Sequence, residues 1–149
     1  MWLARLGWHV TAVDFSQVAL DRARGAAEAA GLTVDWVVAD LLEWRPPAHA
    51  FDLVALVFLH LPSEERLPIY AAAAEAVAPG GRLLVVGHDR SNIAEGSGGP
   101  QDQAVLFTAD EIAPDLDGFV VERTERVVRR PPGGRPMIDA VLVAMRPPS

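Results

Sequence analysis

His9 to Asp40 reads H-V-T-A-V-D-F-S-Q-V-A-L-D-R-A-R-G-A-A-E-A-A-G-L-T-V-D-W-V-V-A-D, and this stretch decides the fold. It opens on a short apolar run, His9 to Asp14, of the length and continuity of a buried strand. Ser16 then offers an N-cap to a helix carrying Val18, Leu20, Ala23, Ala27 and Ala30, which stops at Gly31. A second strand-like run, Val34 to Asp40, follows directly. Strand, helix and strand in about thirty residues form a β-α-β unit, and such a unit implies parallel strands.

The same alternation continues outward. Phe51 to Phe58 (F-D-L-V-A-L-V-F) is a third strand, and Ser63 can begin a helix whose first turn carries Glu64 and Glu65, where the helix dipole favours negative charge. Pro68 would fall one turn inside, so a later start or a kink is expected there. Pro79-Gly80-Gly81 ends that helix, Arg82 to Val86 makes a fourth strand, and a long polar loop runs from Gly87 to Phe107. Thr108-Ala109-Asp110-Glu111 has the form of a capping box before a short helix. The tail differs in kind: Phe119 to Arg130 and Met137 to Arg146 have no helix between them and predict an antiparallel hairpin. The alanine run Ala71 to Ala74 reads as close helix packing.

Composition narrows the functional classes. Half of the 149 residues are apolar, enough for one sizeable core, and one domain is expected. Thirteen basic residues, all Arg, face 20 acidic ones for a net charge of −7, which disfavours a nucleic-acid or anionic-membrane surface. No cysteine is present, so disulfides, thiolate zinc sites and a cysteine nucleophile are excluded. The four His residues, at 9, 49, 60 and 88, lack metal-ligand spacing, and no metal is expected. The longest apolar run is too short to span a bilayer, and a soluble, cytoplasmic protein is the expectation.

Two acids stand where ligands of open α/β sheets bind, at the carboxyl ends of strands. Asp14 closes the first strand just before a helix, a place where a carboxylate accepts from both hydroxyls of a ribose; the plainer alternative is a turn or capping role. Asp40 closes the next strand in V-V-A-D-L, where it can accept the exocyclic amine of adenine while apolar neighbours cover the ring. After these come F-D-L-V, P-G-G-R-L-L-V-V and the terminal hairpin, and the whole order resembles the class I S-adenosylmethionine-dependent methyltransferases. Within them, G-W-H-V-T-A-V-D-F-S and Gly87-His88-Asp89 are similar to small-molecule methyltransferases of the tellurite-resistance and thiopurine kind.

The resemblance implies an α/β, Rossmann-like, mostly parallel sheet with helices on both faces and a C-terminal antiparallel hairpin. It implies S-adenosylmethionine as cofactor, with adenosine held at Asp14, Phe15, Asp40 and Leu41 and main chain near Val57 and Phe58 beside the methionine part. One departure stands out. The family's strand ending in an acid and a G-x-G-x-G turn has no counterpart: the chain opens at Met1-Trp2-Leu3-Ala4-Arg5, and what precedes Gly7 looks like the end of the first helix. Residues 1–149 are therefore expected to be a single methyltransferase domain without its first strand, with two open strand edges and weak cofactor binding. The glycines of Glu95-Gly96-Ser97-Gly98-Gly99-Pro100 follow a different strand and read as a loop.

The expected activity is methyl transfer to a small-molecule acceptor. No N/D-P-P-aromatic segment follows the third strand and no Cys exists for attack on a cytosine ring, so nucleic acid is not the expected partner. A soft anionic acceptor needs no base. A hydroxyl or ammonium acceptor does, and His60 and His88, which follow the third and fourth strands, are the candidate catalytic residues. Asp89, Asn92 and Asp102 are candidate substrate contacts, whereas Arg129, Arg130 and Arg135 read as solvated charges near a turn. Two rivals stay open: a non-catalytic remnant of the fold, and a nicotinamide-dependent oxidoreductase, the latter disfavoured because a chain without Lys has no Tyr-x-x-x-Lys pair.

Overall fold

The computed structural model describes residues 1–148 and divides into two compact units, Met1–Arg45 and the remainder from Pro46. The first unit holds helix α1 (Trp2–Arg5), strand β1 (Thr11–Asp14), helix α2 (Gln17–Ala29) and strand β2 (Asp35–Val38). β1 and β2 pair in parallel from Thr11↔Asp35 to Asp14↔Val38, as the β-α-β reading requires. Ser16 caps α2 by accepting from the Ala19 N–H at 3.2 Å, and Gly31 ends it at φ 66°, a left-handed geometry that favours glycine. Leu20 and Ala27, seven positions apart and so on one helical face, are its buried residues. All four tryptophans, Trp2, Trp8, Trp36 and Trp44, fall in this unit.

The second unit contains β3 (Phe51–Val57), α3 (Ser63–Ala76), β4 (Val77–His88), α4 (Asn92–Glu95), α5 (Ala109–Ile112), β5 (Val120–Arg129) and β6 (Met137–Met145). The strands lie in the order β3-β4-β6-β5, with β3 and β4 parallel and both pairings of β6 antiparallel. The C-terminal hairpin thus forms as expected, and β6 also inserts beside β4. In the β4–β6 ladder, alternate pairs face the core: Leu83↔Ala144, Val85↔Leu142 and Gly87↔Ala140, all buried. Leu83 thus meets a small residue and Val85 meets Leu142, while Gly87 and Ala140 leave room that the Phe107 ring fills against Gly87. β5 pairs only with β6, and its exposed Glu122, Arg123, Glu125 and Arg126 keep that edge charged.

Three boundaries differ from the sequence expectation. α3 begins at Ser63 and continues through Pro68; Pro68 is exposed, and so is Glu64, whose carbonyl loses its helical donor to the proline ring and can turn to water. The fixed stripe is Arg66, Ile69, Tyr70, Ala73 and Ala76, spaced three and four apart and buried, with α3 packed against β3 and β4. β4 starts at Val77 instead of Arg82. The segment Ala78 to Gly81 stays within β4 as an irregularity, with Gly80 at φ 80°, and the register against β3 shifts between Phe51 and Leu53 to absorb it. Gly81 is required there, because a Cβ would lie 2.9 Å from the Ala78 carbonyl oxygen. Finally, the loop after β4 is partly ordered by α4 and by short 3₁₀ turns at Gln103–Val105 and Ala113–Asp115.

Among the described residues β1 has one sheet partner, β2, and β3 has one, β4, so each keeps one side without a backbone partner. No helix among them is long and apolar enough to cross a membrane.

Candidate active site

In the first unit, Asp14 and Asp40 stand at the carboxyl ends of the neighbouring parallel strands β1 and β2. Asp14 Oδ1 accepts from the Ser16 N–H at 2.8 Å, and Asp40 Oδ1 accepts from the Leu42 N–H at 2.9 Å. Both carboxylates therefore also perform the local turn role that their sequence positions suggest. Among the described residues Oδ2 of each accepts no hydrogen bond, so each turn leaves one oxygen for a ligand. The Ala39 N–H donates to the Asp14 carbonyl at 3.1 Å and locks the two strand ends together. Phe15 beside them is 81% exposed, an aromatic face that the fold itself does not use. A hollow of about 310 Å³ lined by Trp8, His9, Leu32 and Asp35 lies toward the amino ends of these strands, opposite the end where α/β folds bind ligands.

These groups fit the adenosine half of S-adenosylmethionine. Two carboxylate oxygens at adjacent strand ends suit a ribose diol and an exocyclic amine, and an exposed aromatic suits a base. The fit to the methionine half is thinner, since no G-x-G-x-G backbone turn occurs in this sequence.

In the second unit the two candidate histidines come together. β3 ends at Val57, which is 57% exposed, and Phe58 takes a positive φ of 53°, uncommon for a bulky residue and a place where strain is held by its surroundings. What holds it is the Phe58 N–H bond to the Val86 carbonyl at 2.7 Å and the packing of its ring against His88, centroids 5.1 Å apart. His60 stacks on His88, with ring centroids 5.2 Å apart and planes 2° from parallel. His60 Nε2 lies 3.1 Å from the backbone nitrogen of His88. A backbone N–H only donates, so Nε2 carries the lone pair and the neutral ring holds its proton on Nδ1. His60 has spent its basic nitrogen on the fold.

Burial lowers the His60 pKa below the usual 6.5, His88 lowers it further, and Asp139 opposes them. The folded state then resists a proton that the unfolded chain accepts, so stability is fully present above pH 6.5 and falls as pH drops below it. Urea unfolding from pH 7 to pH 5 should show this decline. His60→Gln, which can still accept from the His88 N–H, should flatten it; an unchanged slope would mean another group is responsible.

His88 is buried, and its Nδ1 lies 3.1 Å from Asp139 Oδ1 on β6, a residue the sequence reading did not single out. The approach is oblique, close enough for electrostatic attraction but not an aligned hydrogen bond. Asp139 is itself buried and is gripped by Arg129 of β5, whose Nε meets Oδ2 and whose Nη2 meets Oδ1 at 3.1 Å. Arg129 is thus no solvated turn charge: its guanidinium neutralises a buried carboxylate and lies 5.5 Å from the centre of the Phe58 ring. The pairing is set by register, because His88 opposes Asp139 across the β4–β6 ladder.

The candidate loop contacts have structural duties instead. Asn92 is 1% exposed, donates to the Gly98 carbonyl at 2.9 Å and accepts from the Ile138 N–H at 2.8 Å, stapling the loop to β6. Asp89 accepts from both the N–H and the hydroxyl of Ser91, and Asp102 accepts from the Ala104 N–H. The capping box is present as expected, with Thr108 and Glu111 bonded reciprocally. The glycine-rich loop serves close approach: at Gly99, φ 71°, a Cβ would sit 2.3 Å from His88 Cδ2.

Two strand-end carboxylates and an exposed aromatic thus stand at the carboxyl ends of parallel strands, where open α/β sheets bind their ligands. The chain belongs to the methyltransferase domain family, whose model matches residues 1–81, more than half of its length. Solved structures share the fold over nearly the whole chain. A SAM-dependent methyltransferase from Methanosarcina mazei is 18% identical over 99% of this chain and 86% of its own, with a TM-score of 0.79. TehB from Haemophilus influenzae is 17% identical over 97% of this chain and 52% of its own, with a TM-score of 0.75. The [4+2]-cyclase SpnF is 19% identical over 99% of this chain and 70% of its own, also with a TM-score of 0.75. The chain is accordingly a member of the methyltransferase domain family, with the fold of SAM-dependent methyltransferases of known structure.

Proposed function

We propose that the chain methylates a small-molecule acceptor, with Asp14 accepting from the cofactor ribose, Asp40 accepting the adenine amine, and Phe15 and Leu41 covering the base. The observation that carries this reading is the pair of carboxylates at the ends of β1 and β2, each held by one oxygen and open at the other. When bound, the cofactor supplies a methyl group on a sulfonium, which needs alignment and exclusion of water more than a dedicated catalyst. A protein of net charge −7, with neither Cys nor Lys, favours a small acceptor over nucleic acid.

His88 is the better of the two candidate bases, because His60 Nε2 is already engaged by a backbone N–H.

Calorimetric titration with S-adenosylhomocysteine tests the nucleoside assignment. Binding is expected, and its inosine analogue should bind more weakly to the wild type by about ten-fold, the worth of one hydrogen bond to a charged group. Asp40→Asn should narrow that difference. No heat at millimolar ligand would remove the reading, and equal affinity for both analogues would leave Asp40 a turn residue only.

A further inference from the structure

Three ionisable side chains meet across three strands: Asp139 on β6 opposes His88 on β4, and Arg129 on β5, two positions beyond the residue opposite Asp139, reaches it diagonally. We propose that Asp139 is a positioning residue that fixes the proton of His88 on Nδ1 and leaves Nε2 as the proton acceptor, with Arg129 setting how strongly Asp139 acts. The inference deepens the methyl-transfer reading and rests on it.

A lone pair on Nδ1 would face a carboxylate oxygen 3.1 Å away and be repelled, whereas an N–H there is attracted; the neutral ring therefore holds its proton on Nδ1. Nδ1 is sealed from solvent, while Nε2, which bonds to no described residue, is not. Three surfaces restrain the ring: His60 stacked on it, Phe58 packed against it, and the Gly99 backbone against the Cδ2–Nε2 edge, where any side chain would clash. The ionisable groups facing it are His60 from the loop after β3, Asp139 from β6 and, through Asp139, Arg129 from β5. The adjacent Asp89 has turned its carboxylate to Ser91.

The chemistry balances without a further reactant. With the cofactor bound, its sulfonium would supply the methyl group and keep the bonding pair on sulfur, and the part of this chain would be to take the acceptor's proton on the Nε2 lone pair of His88. His88 becomes an imidazolium beside the Asp139 carboxylate and later returns the proton to water. The acceptors this arrangement serves are those with a proton to lose, a hydroxyl or a protonated amine. A thiolate needs no such base.

Arg129 shares the charge of Asp139, so the two positions can be set against each other. Asp139→Asn removes the anion and should let the proton of the neutral His88 ring leave Nδ1 for Nε2, whereas Arg129→Gln, which leaves the anion to the ring alone, should hold it on Nδ1. Nitrogen-15 NMR of the histidine rings reads the proton position. The wild type and Arg129→Gln should show Nδ1–H, and Asp139→Asn should lose that preference. A structural role alone would leave the proton position the same in all three. An Nε2–H ring in the wild type overturns the proposal even if both variants fold poorly, and so does an unmoved proton position in a folded Asp139→Asn variant. S-adenosylhomocysteine binding is measured separately, so failure here leaves the nucleoside assignment standing and the reverse also holds.

Discussion

Replacing Asp14 with Ala is expected to weaken S-adenosylhomocysteine binding by about ten- to a hundredfold, because a hydrogen bond to a charged acceptor contributes roughly 1.5–3 kcal/mol. The side chain has two duties, and they can be separated. Oδ1 closes the turn onto the Ser16 N–H, and Oδ2 is the oxygen offered to the ribose. Asp14→Asn keeps an oxygen for the turn but loses the charge, so it should fall between the wild type and Asp14→Ala. Circular dichroism of each variant shows whether α2 still begins at its Ser16 cap. A folded Asp14→Ala variant with an unchanged dissociation constant would mean that the ribose, if bound, is held elsewhere.

Phe107→Ala should cost about 3–5 kcal/mol of stability, the range for emptying a buried aromatic site. Phe107 is 1% exposed, lies against Gly87 so tightly that a Cβ there would come within 2.5 Å of its ring, and sits under the Arg66 guanidinium at 5.1 Å. Its carbonyl accepts from the Arg90 N–H, so the same residue pins the end of the loop that carries Gly99 to His88. Arg66 would lose the nearer of its two aromatic faces and keep the Tyr70 ring at 5.8 Å with two long bonds, 3.4 Å to the Leu61 carbonyl and 3.3 Å to the Ser63 hydroxyl. Urea denaturation followed by far-ultraviolet circular dichroism should show a lower midpoint at a similar slope. A loss below about 1 kcal/mol would show that this side chain is not the anchor its burial implies.

Features encoded within a few neighbouring residues were legible in the sequence. The Ser16 cap, the Gly31 stop, the capping box at Thr108 and the strand-end acids Asp14 and Asp40 each depend on local spacing, and each stands where its spacing puts it. The limits of β4 were not legible, since Pro79-Gly80-Gly81 signals a turn, and it is backbone bonding of Gly80 and Gly81 with the distant Arg146 that holds the segment beside the sheet. Arg129 and Asp139 were missed for a similar reason. Their relation to His88 is fixed by the register of three strands, two of them some fifty residues apart in the chain. A trace of it exists: Asp139 is the one acid in M-I-D-A-V-L-V-A-M, a run otherwise apolar throughout, and an acid in such a run needs a partner. Asn92 was misjudged in the opposite sense, because polarity within a long loop looks like availability until the backbone groups it must satisfy are known.

The division of the chain also separates its chromophores. Every indole lies before Pro46, while the single tyrosine, Tyr70, is buried in the other unit with its phenol pushed up to about 12 by burial. Emission excited at the red edge of the indole band therefore reports the first unit alone, and tyrosinate absorbance reports the second. Each half carries its own optical label without any substitution, so an ordinary melt or an alkaline titration can tell which half a ligand or a variant has touched.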